Sequence, residues 1–218
     1  MDKKESLSKE INFSPKMPGF SNRIFGIIKL IMGLCLLPVV YSTTIAFLKE
    51  CAILDKEITN YFSFGIIGFL VLYLFIYEPL AIYNKGQKIL EVVFRFFTPL
   101  VRVAPYVLPI YTIIISVIYL LYALISKSTD SVKYFVLLLG FSIALHLVFS
   151  ARSLRLRQSD FLKSNYIFGF SFIYIINLVI LGFVFSLIFE TCSFVNFCNH
   201  SYQITRDILN AIFKQLFL

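Results

Sequence analysis

The chain has 218 residues, of which 59% are apolar and 15% are Asp, Glu, Lys or Arg, with a formal net charge of +8. Ordinary globular proteins hold roughly 45–50% apolar and 25% charged residues, so a soluble domain of this length could not cover so much apolar surface, and a bilayer is the solvent it fits. The basic residues sit in short loops between apolar runs, which excludes nucleic acid as the expected partner and points to membrane topology and anionic lipid.

Segment 1–22 is polar, carries Pro15, Pro18 and Gly19, and reads as a mobile cytoplasmic leader. It does not read as a cleavable signal, because the apolar run that follows is too long and lacks a small-x-small exit. Five apolar runs come next, at 30–48, 61–83, 105–126, 134–151 and 166–189. Each is near the ~20 helical residues that cross a ~30 Å hydrocarbon layer. They are too long for barrel strands and show no period-2 alternation. The expected fold is therefore all-α: a polytopic bundle of five transmembrane helices in a membrane domain covering 23–189.

Lys and Arg between the runs support that count. There are six in 1–29, two in 49–60, four in 84–104, two in 127–133, four in 152–165 and two in 190–218. High and low values alternate, as the positive-inside rule requires for five spans with the N-terminus cytoplasmic and the C-terminus extracytoplasmic. Gly65 with Gly68, and Gly26 with Gly33, are small-residue pairs suited to helix packing.

Two amphipathic segments flank the spans. In 86–104, Lys88, Glu91, Arg95, Thr98 and Arg102 recur at spacings of 3 and 4, which puts them on one stripe of a helix. With Lys85 they form a basic stripe over a wide apolar face, fit to lie among lipid head groups or to dip in and return. Pro99 is expected to kink or end this helix, and Pro105 to open the next span. In the tail 190–218, Ile204, Ile208, Leu209, Ile212, Phe213, Leu216 and Phe217 follow helical spacing and predict an amphipathic helix at the outer interface or docked on a partner. Cys192 and Cys198 are close enough in sequence for a short-loop disulfide, but pairing cannot be read from spacing alone.

Inside the spans the informative residues are polar. Glu78, His146 and Asn177 interrupt apolar runs, and Asp160 follows in an inner loop. Such groups normally face protein partners and not lipid. His146 is expected to hydrogen-bond inside the bundle, to Glu78 or Asn177. Glu78 is either a relay or substrate contact, or a carboxylate paired with Lys85 or Arg102.

The order of segments resembles a group of bacterial site-2-protease-like intramembrane zinc metallopeptidases. The residues that carry the resemblance are Gly86-Gln-Lys-Ile-Leu-Glu91, Ala104-Pro-Tyr-Val-Leu-Pro-Ile-Tyr-Thr112, Arg157-Gln-Ser-Asp-Phe-Leu-Lys-Ser-Asn-Tyr166 and the span holding Asn177. Members of that group carry Gly-His-Glu-x-x-His, in which histidines at i and i+4 share a helical face and bind zinc while the Glu activates water. Here Gln87 and Glu91 stand at the histidine positions and Lys88 at the base. Gln is a poor zinc ligand and Lys is cationic, so the resemblance implies a member that has lost the reaction, with no cofactor expected. A substitute metal site of Glu78, His146 and Asp160, the last matching the group's acidic third ligand, is the route by which activity could survive.

The leading expectation is a non-catalytic membrane binding or scaffold subunit. It would engage the lipid bilayer and a transmembrane protein partner, or form a homo-oligomer. A transporter or channel-associated subunit, using Glu78, His146 and Asn177 as a polar path, is the alternative. An active metallopeptidase with unusual ligands is the third.

Overall fold

The computed structural model describes residues 19–76, 79–125, 131–156 and 166–217. Among the described residues every regular element is helical. Eight helices follow one another: α1 (Gly19–Ile53), α2 (Lys56–Val71), α3 (Leu80–Val93), α4 (Thr98–Val107), α5 (Ile110–Ile125), α6 (Val132–Leu156), α7 (Tyr166–Ile188) and α8 (Phe194–Phe217). Residues Gly26–Ile53, Lys56–Phe75, Val132–Arg155 and Tyr166–Ile188 are long and apolar enough to cross a membrane, and Ile110–Ile125 is a shorter apolar helix. The molecule is thus an all-α bundle with the helices of a multi-pass membrane protein.

α6 is the central rod, packed on α2, α5 and α7 and touching α3 and α4. Its tightest partner is α2, and two glycines set that approach. A Cβ on Gly65 would stand 2.0 Å from the Leu137 carbonyl oxygen, and one on Gly140 would stand 2.2 Å from the Phe62 carbonyl oxygen. Small residues let helix backbones meet in this way when lipid supplies no hydrophobic drive between them. Of the two small-residue pairs visible in the sequence, one member of each is used. Gly65 meets α6 and Gly33 meets the backbone of Phe168, whereas Gly68 and Gly26 face open space. Phe47, Phe62 and Phe185 then interlock between α1, α2 and α7, with ring centroids 5.4–6.1 Å apart.

Proline decides where the apolar runs break. The run 61–83 is not one helix. α2 ends in a widened π turn over Leu72–Ile76, and a new helix starts after Pro79. Proline has no N–H to donate back along a helix, so it favours a boundary there. The amphipathic segment expected over 86–104 is likewise two helices, α3 and α4, joined by a turn at 94–97. Pro99 begins α4 and does not end α3, since it sits in the first turn where its missing N–H is not needed. Pro105 lies inside α4, and Pro109 is the residue that opens α5.

The tail forms the amphipathic helix α8, whose first half runs antiparallel to α1. Glu50 Oε2 accepts the Ser193 N–H at 3.1 Å, His200 Nδ1 lies 4.0 Å from Glu50 Oε1, and the Ser42 and Thr205 hydroxyls bond to each other. Phe197 closes the joint against Gly182 of α7. All four cysteines are free thiols; Cys51 and Cys192 are buried, and Cys35 and Cys198 are exposed. Burial, with Glu50 nearby, pushes the Cys192 thiol above its usual range, and a protonated thiol is a poor nucleophile. Maleimide labelling of the folded protein in its membrane should therefore modify Cys198 and spare Cys51 and Cys192, with Cys35 shielded by lipid inside its span. All four should react after unfolding without reductant.

Candidate functional site

The site is built around a break in the chain. Leu108 precedes Pro109, and a residue before proline is pushed out of the helical region; Leu108 has φ −93° and ψ 125° and ends α4. The last carbonyls of a helix have no partner within it. In a bilayer, side chains must supply what water would otherwise give. The polar residues of α6 and α7 do so here.

Ser150 Oγ donates to the Tyr106 carbonyl at 3.0 Å. Asn177 Nδ2 donates to the Val107 carbonyl at 3.0 Å and to the Ile173 carbonyl of its own helix at 2.7 Å. The His146 imidazole also faces the Tyr106 and Val107 carbonyls, and its Nε2 lies 3.3 Å from Ser150 Oγ. Ser150 has one proton, committed to Tyr106, so the Tyr83 hydroxyl 3.1 Å away is the donor in the Tyr83–Ser150 bond. Four helices, α3, α4, α6 and α7, thus converge on one turn. Asn177 and Ser150 are fully buried, His146 nearly so. A further bond, from the Tyr111 hydroxyl to the Ile82 carbonyl, ties α5 to α3.

His146 and Asn177 both lie against the Val107 carbonyl and do not bond each other. Glu78 and Asp160 lie outside the described residues, as does the side chain of Arg102. Gln87 points inward and packs with Tyr83, Leu90, Pro105, Tyr111 and His146 around a cavity of about 10 Å³. That is the room one water molecule needs. Gln87 Nε2 is buried there without a hydrogen-bond partner, and so is Asn177 Oδ1.

Lys85, Lys88 and Glu91 are exposed on α3, and Arg95 is exposed in the turn that follows it. The inward face of α3 is Tyr83, Gly86 and Leu90. Gly86 is needed for the fit, since a Cβ there would stand 2.8 Å from atoms of both Ile110 and Tyr111. The structure thus separates Gln87 from Lys88 and Glu91. Among the described residues no group of three or more His, Cys, Asp or Glu side chains is placed to hold a metal ion.

Sequence reasoning missed Tyr83 and Ser150, and met Tyr106 and Tyr111 only as part of the segment Ala104–Thr112 that carries the resemblance. Ser150 was within reach of that reasoning: it lies four residues after His146 and so shares its face of the helix. Tyr83 gave no signal, because 13 tyrosines are spread along the chain. No family model, curated protein or solved structure matches this chain.

Proposed function

We propose that this integral membrane protein acts by binding and not by catalysis, as a scaffold subunit that offers a fixed helical surface to another transmembrane segment. It is a non-catalytic relative of the site-2-protease-like group whose segment order it resembles. One observation carries the reading. Ser150 and Asn177, with His146 beside them, are tied to the carbonyls of the α4–α5 break, and the space left beside them is the size of one water. A proton or ion path needs groups that can exchange partners, whereas these are tied to backbone.

The outer faces of the second span and of α3 fit a binding role. Phe75 is 80% exposed, Val92 72% and Phe96 82%. Lys85, Lys88 and Arg95 stand exposed on the same helix and turn, placed to meet anionic head groups if the N-terminus is cytoplasmic, the orientation that the Lys and Arg counts favour.

The test is photo-crosslinking in intact membranes from a reactive residue placed at Phe75 or Val92, beside reconstitution of the purified protein. A discrete adduct with one other transmembrane polypeptide, insensitive to chelator, is the expected result. Ion flux into liposomes that disappears in His146→Leu would replace this reading with transport. One tightly held zinc per chain, lost in His146→Ala, would replace it with metallopeptidase chemistry.

A further inference from the structure

α8 is held to α1 by a contact that is left half made. Glu50 stands three residues before the end of the apolar stretch Gly26–Ile53, with its side chain 5% exposed. One carboxylate oxygen, Oε2, accepts the Ser193 N–H. The other, Oε1, is buried without a hydrogen-bond partner. Facing it at 4.0 Å is His200 Nδ1, which is also buried and also without one. The rest of the imidazole reaches water, since the His200 side chain is 42% exposed, so the ring can exchange protons. Buried polar atoms are seldom left alone, and a buried carboxylate normally sits against a positive charge. A neutral imidazole brings no charge, whereas a protonated one is cationic and donates from both nitrogens.

The other ionisable groups at this end of the bundle do not supply that charge. The Cys51 and Cys192 thiols lie beside the Glu50 carboxylate, and a thiol is never positive. The last turns of α7, residues 181–188, hold no ionisable side chain. Lys49 on α1, Asp55, Lys56 and Glu57 at the start of α2, Glu190 after α7, and Cys198 and Tyr202 on α8 are all exposed. Among the described residues the cation placed against Glu50 is His200.

We infer that this contact is a pH-sensitive latch, in which protonation of His200 draws its ring onto Glu50 Oε1 and fixes α8 against α1. Docking of α8 takes up a proton. It therefore strengthens as pH falls through the range in which imidazoles gain charge, about pH 8 to 5, and weakens as pH rises through it. One proton changes the docking constant by at most about tenfold per pH unit. The rest of the α1–α8 joint follows the latch: the Ser42–Thr205 bond and the seat of Phe197 against Gly182. When the latch opens, the half-buried face of Ser201, Ile204, Thr205 and Ile208 comes free. With the N-terminus cytoplasmic, as the Lys and Arg counts favour, the pH that it reads is extracytoplasmic.

The experiment follows amide hydrogen exchange over residues 194–217 of the full chain in lipid nanodiscs at about pH 6 and pH 8, the range of imidazole titration, with rates corrected for the intrinsic effect of pH. Exchange across α8 should be roughly tenfold slower in acid. Glu50→Gln, which keeps an oxygen for the Ser193 N–H but no charge, and His200→Gln should each abolish the slowing. His200→Lys, charged at both pH values, should exchange slowly at both, which loss of folding could not produce. A slowing in acid that survives in His200→Gln would overturn the inference, as would a His200→Lys variant no slower than His200→Gln. So would a slowing that needs added zinc and is lost to a chelator, which would make the contact a metal bridge.

Discussion

Gly65→Ala or Gly140→Ala should separate α2 from α6 and cost on the order of 3 kcal/mol or more, enough to send much of the protein to aggregation or degradation. A single methyl group is a small change, but here it would stand 2.0 or 2.2 Å from a backbone carbonyl oxygen. Backbone on both sides cannot turn away as a side chain can, so the two helices must part along their whole contact. Helix propensity works in the opposite direction, since Ala improves on Gly by about 1 kcal/mol in a helix interior. Gly68→Ala supplies the control, because it meets nothing within 4 Å. It should be neutral or slightly stabilising. Thermal unfolding of the three variants in one detergent checks the set, and equal losses at Gly65 and Gly68 would refute the packing.

Asn177→Leu should lower stability by about 2 kcal/mol, since it removes a buried donor from the Val107 carbonyl, and this should appear as a fall of ~4–8 °C in Tm. The side chain is close in size, so the loss reports hydrogen bonding more than volume. The variant leaves the Val107 carbonyl with the imidazole of His146 alone. The loss should be coupled to that of His146→Leu, because both side chains lie against one carbonyl, and the double variant should fall by other than the sum. Additive losses would mean that the two side chains act independently.

Much of the fold could be read from the chain because hydropathy and charge are long-range averages. A run of apolar residues stays apolar however it is broken, so the bundle and its spans emerge from composition. The breaks themselves depend on single residues. The run 61–83 reads as one span although Pro79 divides it, and Pro105 was expected to do what Pro109 does. Both are prolines in apolar surroundings, and only the helix that each one meets tells a first-turn proline from an internal one. The tail illustrates a second limit. Its apolar spacing predicted an amphipathic helix, but its direction depends on Glu50 and Ser42, more than 140 residues away in sequence.

The candidate site was legible in its members more than in its purpose. His146 and Asn177 stood out as polar groups in apolar spans, whereas the turn at Leu108–Pro109 was expected at Pro105. That the turn is what those side chains serve is a matter of two carbonyl oxygens, to which no residue type gives a signal. The motif positions 87, 88 and 91 were read together because helical spacing places 87 and 91 on one face. In α3 Gln87 is half-buried at the cavity and Glu91 is exposed.

The central claim is that the buried polar groups exist to hold the α4–α5 break closed. Solid-state NMR on protein in lipid, with ¹⁵N in the Asn177 carboxamide and ¹³C at the Val107 carbonyl, measures it directly. A hydrogen bond of normal geometry places the two nuclei about 4 Å apart, and strong dephasing of the carbon signal is the predicted result. Absence of dephasing, with the carboxamide nitrogen remote from Val107, would contradict the account.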